Sequence, residues 1–97
     1  MSRVIAAAIG LASIAAAVTA WAQPPAGAAA CSGCHPASAR VTSRVVRLNG
    51  LEREAIVRAM QEFRSGQRAG TVMDRIAKGF TDEEIQALAA WFAAQPK

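Results

Sequence analysis

The chain has only two cysteines and one histidine, and all three stand in the run C-S-G-C-H, Cys31 to His35. Thiols and imidazole are soft-to-borderline donors, so this cluster points to metal, redox or covalent cofactor chemistry. A structural zinc site needs four ligands in tetrahedral geometry. Three are present, and the adjacent Cys34 and His35 would crowd a single ion. A thioredoxin-like C-x-x-C would accompany a βαβ pattern, and no strand pattern occurs here. A disulfide between Cys31 and Cys34 would close a loop too small to stabilise much. C-x-x-C-H is also the attachment sequence for c-type haem. Two thiols one helical turn apart reach the two vinyl groups on one porphyrin edge, and the next histidine turns beneath the ring toward the iron. One covalent haem c is therefore expected, with Cys31 and Cys34 as thioether sites and His35 as proximal ligand.

The sixth position of the iron needs a donor from elsewhere, and it cannot be a second histidine. Methionine fills it in electron-carrying cytochromes and raises the reduction potential. Beyond the N-terminal segment there are two methionines. Met60 lies on an apolar helix face and reads as core filler. Met73 sits among glycines, outside any apolar periodicity, where a loop can carry it over the haem face. Met73 is the expected distal ligand. The competing reading makes it a core or loop methionine beside an open or water-bound sixth site.

Three stretches must position these groups. The alanines of "QPPAGAAA", residues 23–30, can begin a helical turn that carries Cys31. Leu51 to Arg64 places Leu51, Ala55, Ile56, Ala59, Met60 and Phe63 on one helical face, after an Asn49-Gly50 turn and before a Ser65-Gly66 stop. Gly66 to Gly79 reads as a loop with a short helical turn around Asp74 to Ala77. The last helix opens with a Thr81/Glu84 capping box and a Phe80/Ile85 hydrophobic staple. Asp82, Glu83 and Glu84 suit the positive end of its macrodipole. Ile85, Leu88, Ala89 and Phe92 then line one face, with Trp91 beside it. The fold class is all-α, about three helices packed around one haem.

Of the 97 residues, the first 22 have the form of a secretory signal peptide: Arg3, an apolar run from Val4 to Val18, and Ala20-Trp21-Ala22 as the cleavage site. An uncleaved anchor is the competing reading, since Val4 to Ala22 nearly reaches the ~20 apolar residues of a spanning helix. Cleavage leaves a single domain, residues 23–97, with a formal charge of +3 and no stable membrane insertion. No Lys/Arg run and no interleaving of basic with aromatic residues suggests nucleic acid. A domain this small buries only about 60% of the surface its unfolded chain exposes, so it needs a staple. Covalent haem would be one.

With these motifs in hand, the chain resembles a class I c-type cytochrome. The segment "FRSGQRAGTVMDRIAKGFTDEEIQALAAWFA", Phe63 to Ala93, is similar to the monohaem cytochrome subunit of flavocytochrome c sulfide dehydrogenase. The likeness extends over roughly residues 26 to 95. It implies the same four site residues: Cys31 and Cys34 as thioether sites, His35 and Met73 as axial ligands. It also implies a periplasmic location and an FAD-binding sulfide dehydrogenase subunit as partner, which passes electrons through the haem to other periplasmic carriers. The chain departs from the pattern twice. Pro36 stands where glycine usually follows the histidine, and the proline whose carbonyl usually accepts the histidine Nδ–H is missing near Arg47. A carbonyl of Val46 or Arg47 could take that role, because an orienting acceptor need not belong to a proline.

The leading expectation is electron transfer by a subunit that is not catalytic on its own. A free carrier serving a respiratory oxidase or another dehydrogenase is the alternative. A ligand-binding or peroxidase-like protein would need an open sixth site and an acid-base residue that the chain lacks. Phe80, Trp91, Phe92 and Ile76 are expected to pack near the haem. Arg64, Arg68, Arg75 and Lys78 flank Met73 and read either as a docking rim or as ordinary solvated charges.

Overall fold

A computed structural model describes residues 23–97; the signal segment expected over 1–22 lies outside them. Among the described residues there are helices and no strands, as expected for an all-α chain. Four α-helices occur, α1 Ala28–Ser32, α2 Arg53–Ser65, α3 Met73–Ile76 and α4 Asp82–Ala93, with a 3-10 turn at Ala77–Gly79 before α4. No described helix is long and apolar enough to cross a membrane.

α2 and α4 form the scaffold. On α4 the buried residues are Ile85, Leu88, Ala89 and Phe92, the face expected from their spacing. Thr81 accepts a hydrogen bond from the Glu84 amide at 3.2 Å, which is the N-cap half of the expected capping box. The staple partners Phe80 and Ile85 both belong to the core cluster, Phe80 as a half-buried member. Burying a side chain such as Leu88 or Phe92 is worth about 1.5–3 kcal/mol, so this one helix face carries much of the core.

On α2 the buried residues are Ile56 and Met60, with Val57 and Phe63 packed against the cluster, so Met60 is core filler as expected. Gly66 ends α2 in the left-handed conformation, φ +82°, where its missing Cβ removes the steric penalty. The N-terminal boundary differs from expectation. The helix starts at Arg53, after Glu52 in extended conformation, and Leu51 is left outside it and exposed. The reason is tertiary: the Gly50 amide donates to the Phe92 carbonyl at 2.9 Å, which ties the incoming chain to the end of α4 before α2 can begin.

The helical turn expected around Asp74 to Ala77 is present and begins one residue earlier. Met73 opens α3, and the 3-10 turn continues it to Gly79. Ala77 is fully buried, with Met73 and Phe80 half-buried against the core. Positions 73, 77 and 80 share one helical face, but a single turn is too short for that pattern to stand out among glycines. Ile76, expected to pack near the haem, lies off that face and is exposed on the protein surface.

α1 is placed by a close approach. Gly27 sits at its N-cap with φ +89°, and a Cβ there would meet the Phe80 ring at 2.7 Å. Only glycine allows α1 to lie against the residue that staples α4. Ala28, the first residue of α1, is buried at that junction.

Candidate functional site

α1 is a five-residue turn, and the Cys31 and Cys34 thiols are both free, Cys31 half-buried and Cys34 exposed. The His35 amide donates to the Cys31 carbonyl at 2.9 Å, and the Cys34 amide to the same carbonyl at 3.2 Å. The C-x-x-C-H run is thus a wound turn with Cys31 at its hub. Burial pushes the Cys31 thiol above the ordinary thiol range, partly offset by a backbone hydrogen bond.

The His35 ring supplies the most informative contact. Its Nδ1 lies 2.5 Å from the Val46 carbonyl oxygen. A carbonyl can only accept, so Nδ1 carries the proton and the lone pair of the neutral ring resides on Nε2. A hydrogen bond of this kind fixes both tautomer and ring plane in histidines that bind metal. The departure from the cytochrome pattern near Arg47 therefore has a structural answer. Val46 provides the acceptor without a proline.

The apolar surroundings fit a large flat group. The buried core of the described residues numbers eight, three of them alanines, and Ile85 is the largest side chain fully removed from solvent. Against that thin core, six large aliphatic side chains are exposed. Val45 and Val46 lie at the segment that anchors His35, while Val72 and Ile76 flank Met73 in sequence. Exposed aliphatics thus bracket both expected axial ligands, where a porphyrin would cover them. Imidazole nitrogen plus thioether sulfur is a donor set suited to haem iron. By contrast, no group of three or more His, Cys, Asp or Glu side chains is arranged to hold a bare metal ion among the described residues.

Two surface depressions lie elsewhere, on the outer side of α2. The larger, about 500 Å³, is lined by charged and polar side chains such as Arg58, Glu62, Arg64 and Asp82. Its composition is unlike that of a mostly apolar ligand pocket, and neither depression includes Cys31, Cys34, His35 or Met73.

The expected docking rim divides in two. Arg64 donates to the Phe80 carbonyl at 3.2 Å and pairs with Asp82, which joins the end of α2 to the start of α4. Arg68 pairs with Glu62 at 2.7 Å and lies over the Phe63 ring, 5.5 Å from its centre. These two are structural clamps at the base of the Met73 segment. Arg75 and Lys78 are exposed. The clamp role of Arg64 was not legible in sequence, because its partners lie 16 and 18 residues away.

No family model matches the chain. Over 62 residues it is 40% identical to the cytochrome subunit of sulfide dehydrogenase from Chlorobaculum tepidum, covering 64% of this chain and 56% of the relative. The resemblance read from the sequence holds. A second relative, the thiosulfate dehydrogenase electron acceptor of Stutzerimonas stutzeri, is 37% identical over 71 residues, 71% of this chain and 33% of the relative. The chain thus spans about half the length of the first relative and a third of the second.

Proposed function

We propose that this chain is an exported single-haem electron carrier that accepts electrons from a dehydrogenase acting on a reduced sulfur compound. The observation that carries the reading is His35, placed directly after C-x-x-C with Nδ1 committed to the Val46 carbonyl and Nε2 left as a donor. A bound c-type haem supplies one-electron ferrous–ferric chemistry. The chain's own residues do the rest. Cys31 and Cys34 would hold the haem through thioether bonds, His35 and Met73 would bind its iron, and the aliphatics near them would exclude water. With His35 and Met73 both bound to it, the iron would have no place for substrate, so oxidation of the sulfur compound would belong to the partner.

A sulfide dehydrogenase is the partner suggested by the first relative's name, its FAD-containing subunit by the resemblance read from the sequence, and a periplasmic location by the signal-like N-terminus. The similarity to a thiosulfate dehydrogenase electron acceptor favours a second reading, a diffusible carrier serving a different enzyme. An affinity pull-down of the haem-loaded protein separates the two. Co-eluting flavin that is bleached by sulfide while the haem is reduced supports the sulfide dehydrogenase reading, and haem protein alone supports the free carrier. The ligand assignment has its own test, Met73→Ala. It is expected to open the sixth site, change the ferric and ferrous spectra, and lower the reduction potential. Unchanged spectra would exclude Met73 as the distal ligand.

A further inference from the structure

Charge is distributed very unevenly along the described chain. Residues 52–97 hold seven acids and seven bases, a balanced set. Residues 23–51 hold no acid and three bases: Arg40, Arg44 and Arg47. The whole +3 excess therefore sits on one irregular segment, the one whose Val46 carbonyl orients His35. Arg40 and Arg44 are exposed and Arg47 half-buried, and among the described residues none of the three takes part in an ion pair. The segment is shaped by its own serines. Ser38 Oγ accepts from the Arg40 amide at 3.2 Å and Ser43 Oγ from the Val45 amide at 3.0 Å. These short turns hold the arginine backbones in place before any partner arrives, which lowers the ordering cost of binding. Val41, 55% exposed, lies between Arg40 and Arg44 as an apolar contact.

We infer that residues 38–47 form the docking surface for an acidic redox-partner protein, with Arg40, Arg44 and Arg47 reading a cluster of Asp/Glu carboxylates. All three cations are arginine, whose planar fork matches a carboxylate with two parallel hydrogen bonds. Arginine is also enriched at protein interfaces, where lysine is depleted. A lipid surface is the weaker match. Sequence-readable anionic-lipid sites use about 4–8 clustered cations or an amphipathic helix, and this segment has three cations and no helix. That the partner exchanges electrons rests on the haem-carrier reading; that the surface takes acidic protein does not. The inference also moves docking away from the Met73 side, where Arg64 and Arg68 are held by Asp82 and Glu62.

The test uses the full haem-loaded chain, whose visible spectrum is recorded first so that failure of the haem reading shows separately. The dithionite-reduced, ¹⁵N-labelled protein is titrated with poly-L-glutamate as the acidic probe. Amide shifts are expected to centre on residues 38–47, with affinity falling about ten-fold between roughly 20 and 200 mM salt as screening grows. Arg40→Glu with Arg44→Glu should weaken binding about ten-fold and slow oxidation of the reduced haem by hexacyanoferrate(III), an anion. Arg75→Glu with Lys78→Glu makes the same change in net charge on the Met73 side and should weaken binding by less than about three-fold, since screening confines each charge to its own neighbourhood. Equal losses from the two pairs, or shifts centred on Arg75 and Lys78, would overturn the assignment. Tighter binding to phosphatidylglycerol vesicles than to poly-L-glutamate would also overturn it, in favour of a membrane.

Discussion

The two halves of the described chain are built on different principles. Residues 52–97 contain α2, α3 and α4, seven of the eight buried core residues, a capped helix start and a balanced set of charges. Residues 23–51 contain one five-residue helix, a single buried side chain, Ala28, and the entire net charge. The first half buries most of its hydrophobic surface and leaves only Val72 and Ile76 as large exposed aliphatics. The second leaves Val41, Val45 and Val46 exposed and is tied to the scaffold at few points, chiefly the Gly27–Phe80 approach and the Gly50–Phe92 hydrogen bond. The difference teaches where the proposed covalent cofactor would contribute most: to the half that cannot bury enough apolar surface alone.

That contrast can be broken most directly by withholding the haem. Hydrogen exchange on the Cys31→Ala, Cys34→Ala chain should show residues 28–50 exchanging almost as fast as an unfolded chain, while the α4 core amides keep measurable protection. Uniform loss or uniform retention of protection would mean that the halves fold as one unit.

Leu88→Ala attacks the scaffold instead. It removes a 3%-exposed side chain from the α4 core and should cost about 2–5 kcal/mol in a denaturant titration of the haem-loaded protein. Thr81→Ala, which deletes the N-cap acceptor of α4, should cost about 1 kcal/mol, and Thr81→Ser should restore most of it. A null result would show that the Arg64–Phe80 contact holds the start of α4 without the cap.

The smallest effect concerns Cys31 in the haem-free chain. Its folded-state pKa is raised by burial, so the folded form holds its proton more tightly than the unfolded one. Its contribution to stability is complete below the ordinary thiol range and is lost as pH rises through that range to the raised value. Melting curves across this alkaline window should therefore fall more steeply for the haem-free chain than for its Cys31→Ala variant. Identical slopes would mean that the thiol is no less solvated when folded.

Much of this molecule was legible one residue at a time. C-x-x-C-H pointed to a cofactor because the chemistry is confined to five consecutive residues. The α4 face, its cap and its staple were legible because a helix of twelve residues repeats its pattern three times over. The Gly66 stop follows from glycine's freedom at positive φ. The start of α2 was misread at Leu51, because a long-range hydrogen bond from Gly50 to Phe92 overrides the local periodicity. The helical state of Met73 was missed because one turn carries too little pattern.

Sequence by itself pointed to the proposed cofactor chemistry and determined the all-α class and the excess of positive charge, since each depends on residue type and near-neighbour spacing. Only the tertiary structure decided which carbonyl orients His35 and which arginines are already engaged. Val46 lies 11 residues from the histidine, and Arg64 lies 18 from Asp82. Local rules of spacing do not span such separations. The second is bridged when α2 and α4 pack against each other, and the first when the irregular segment ahead of α2 folds back on itself.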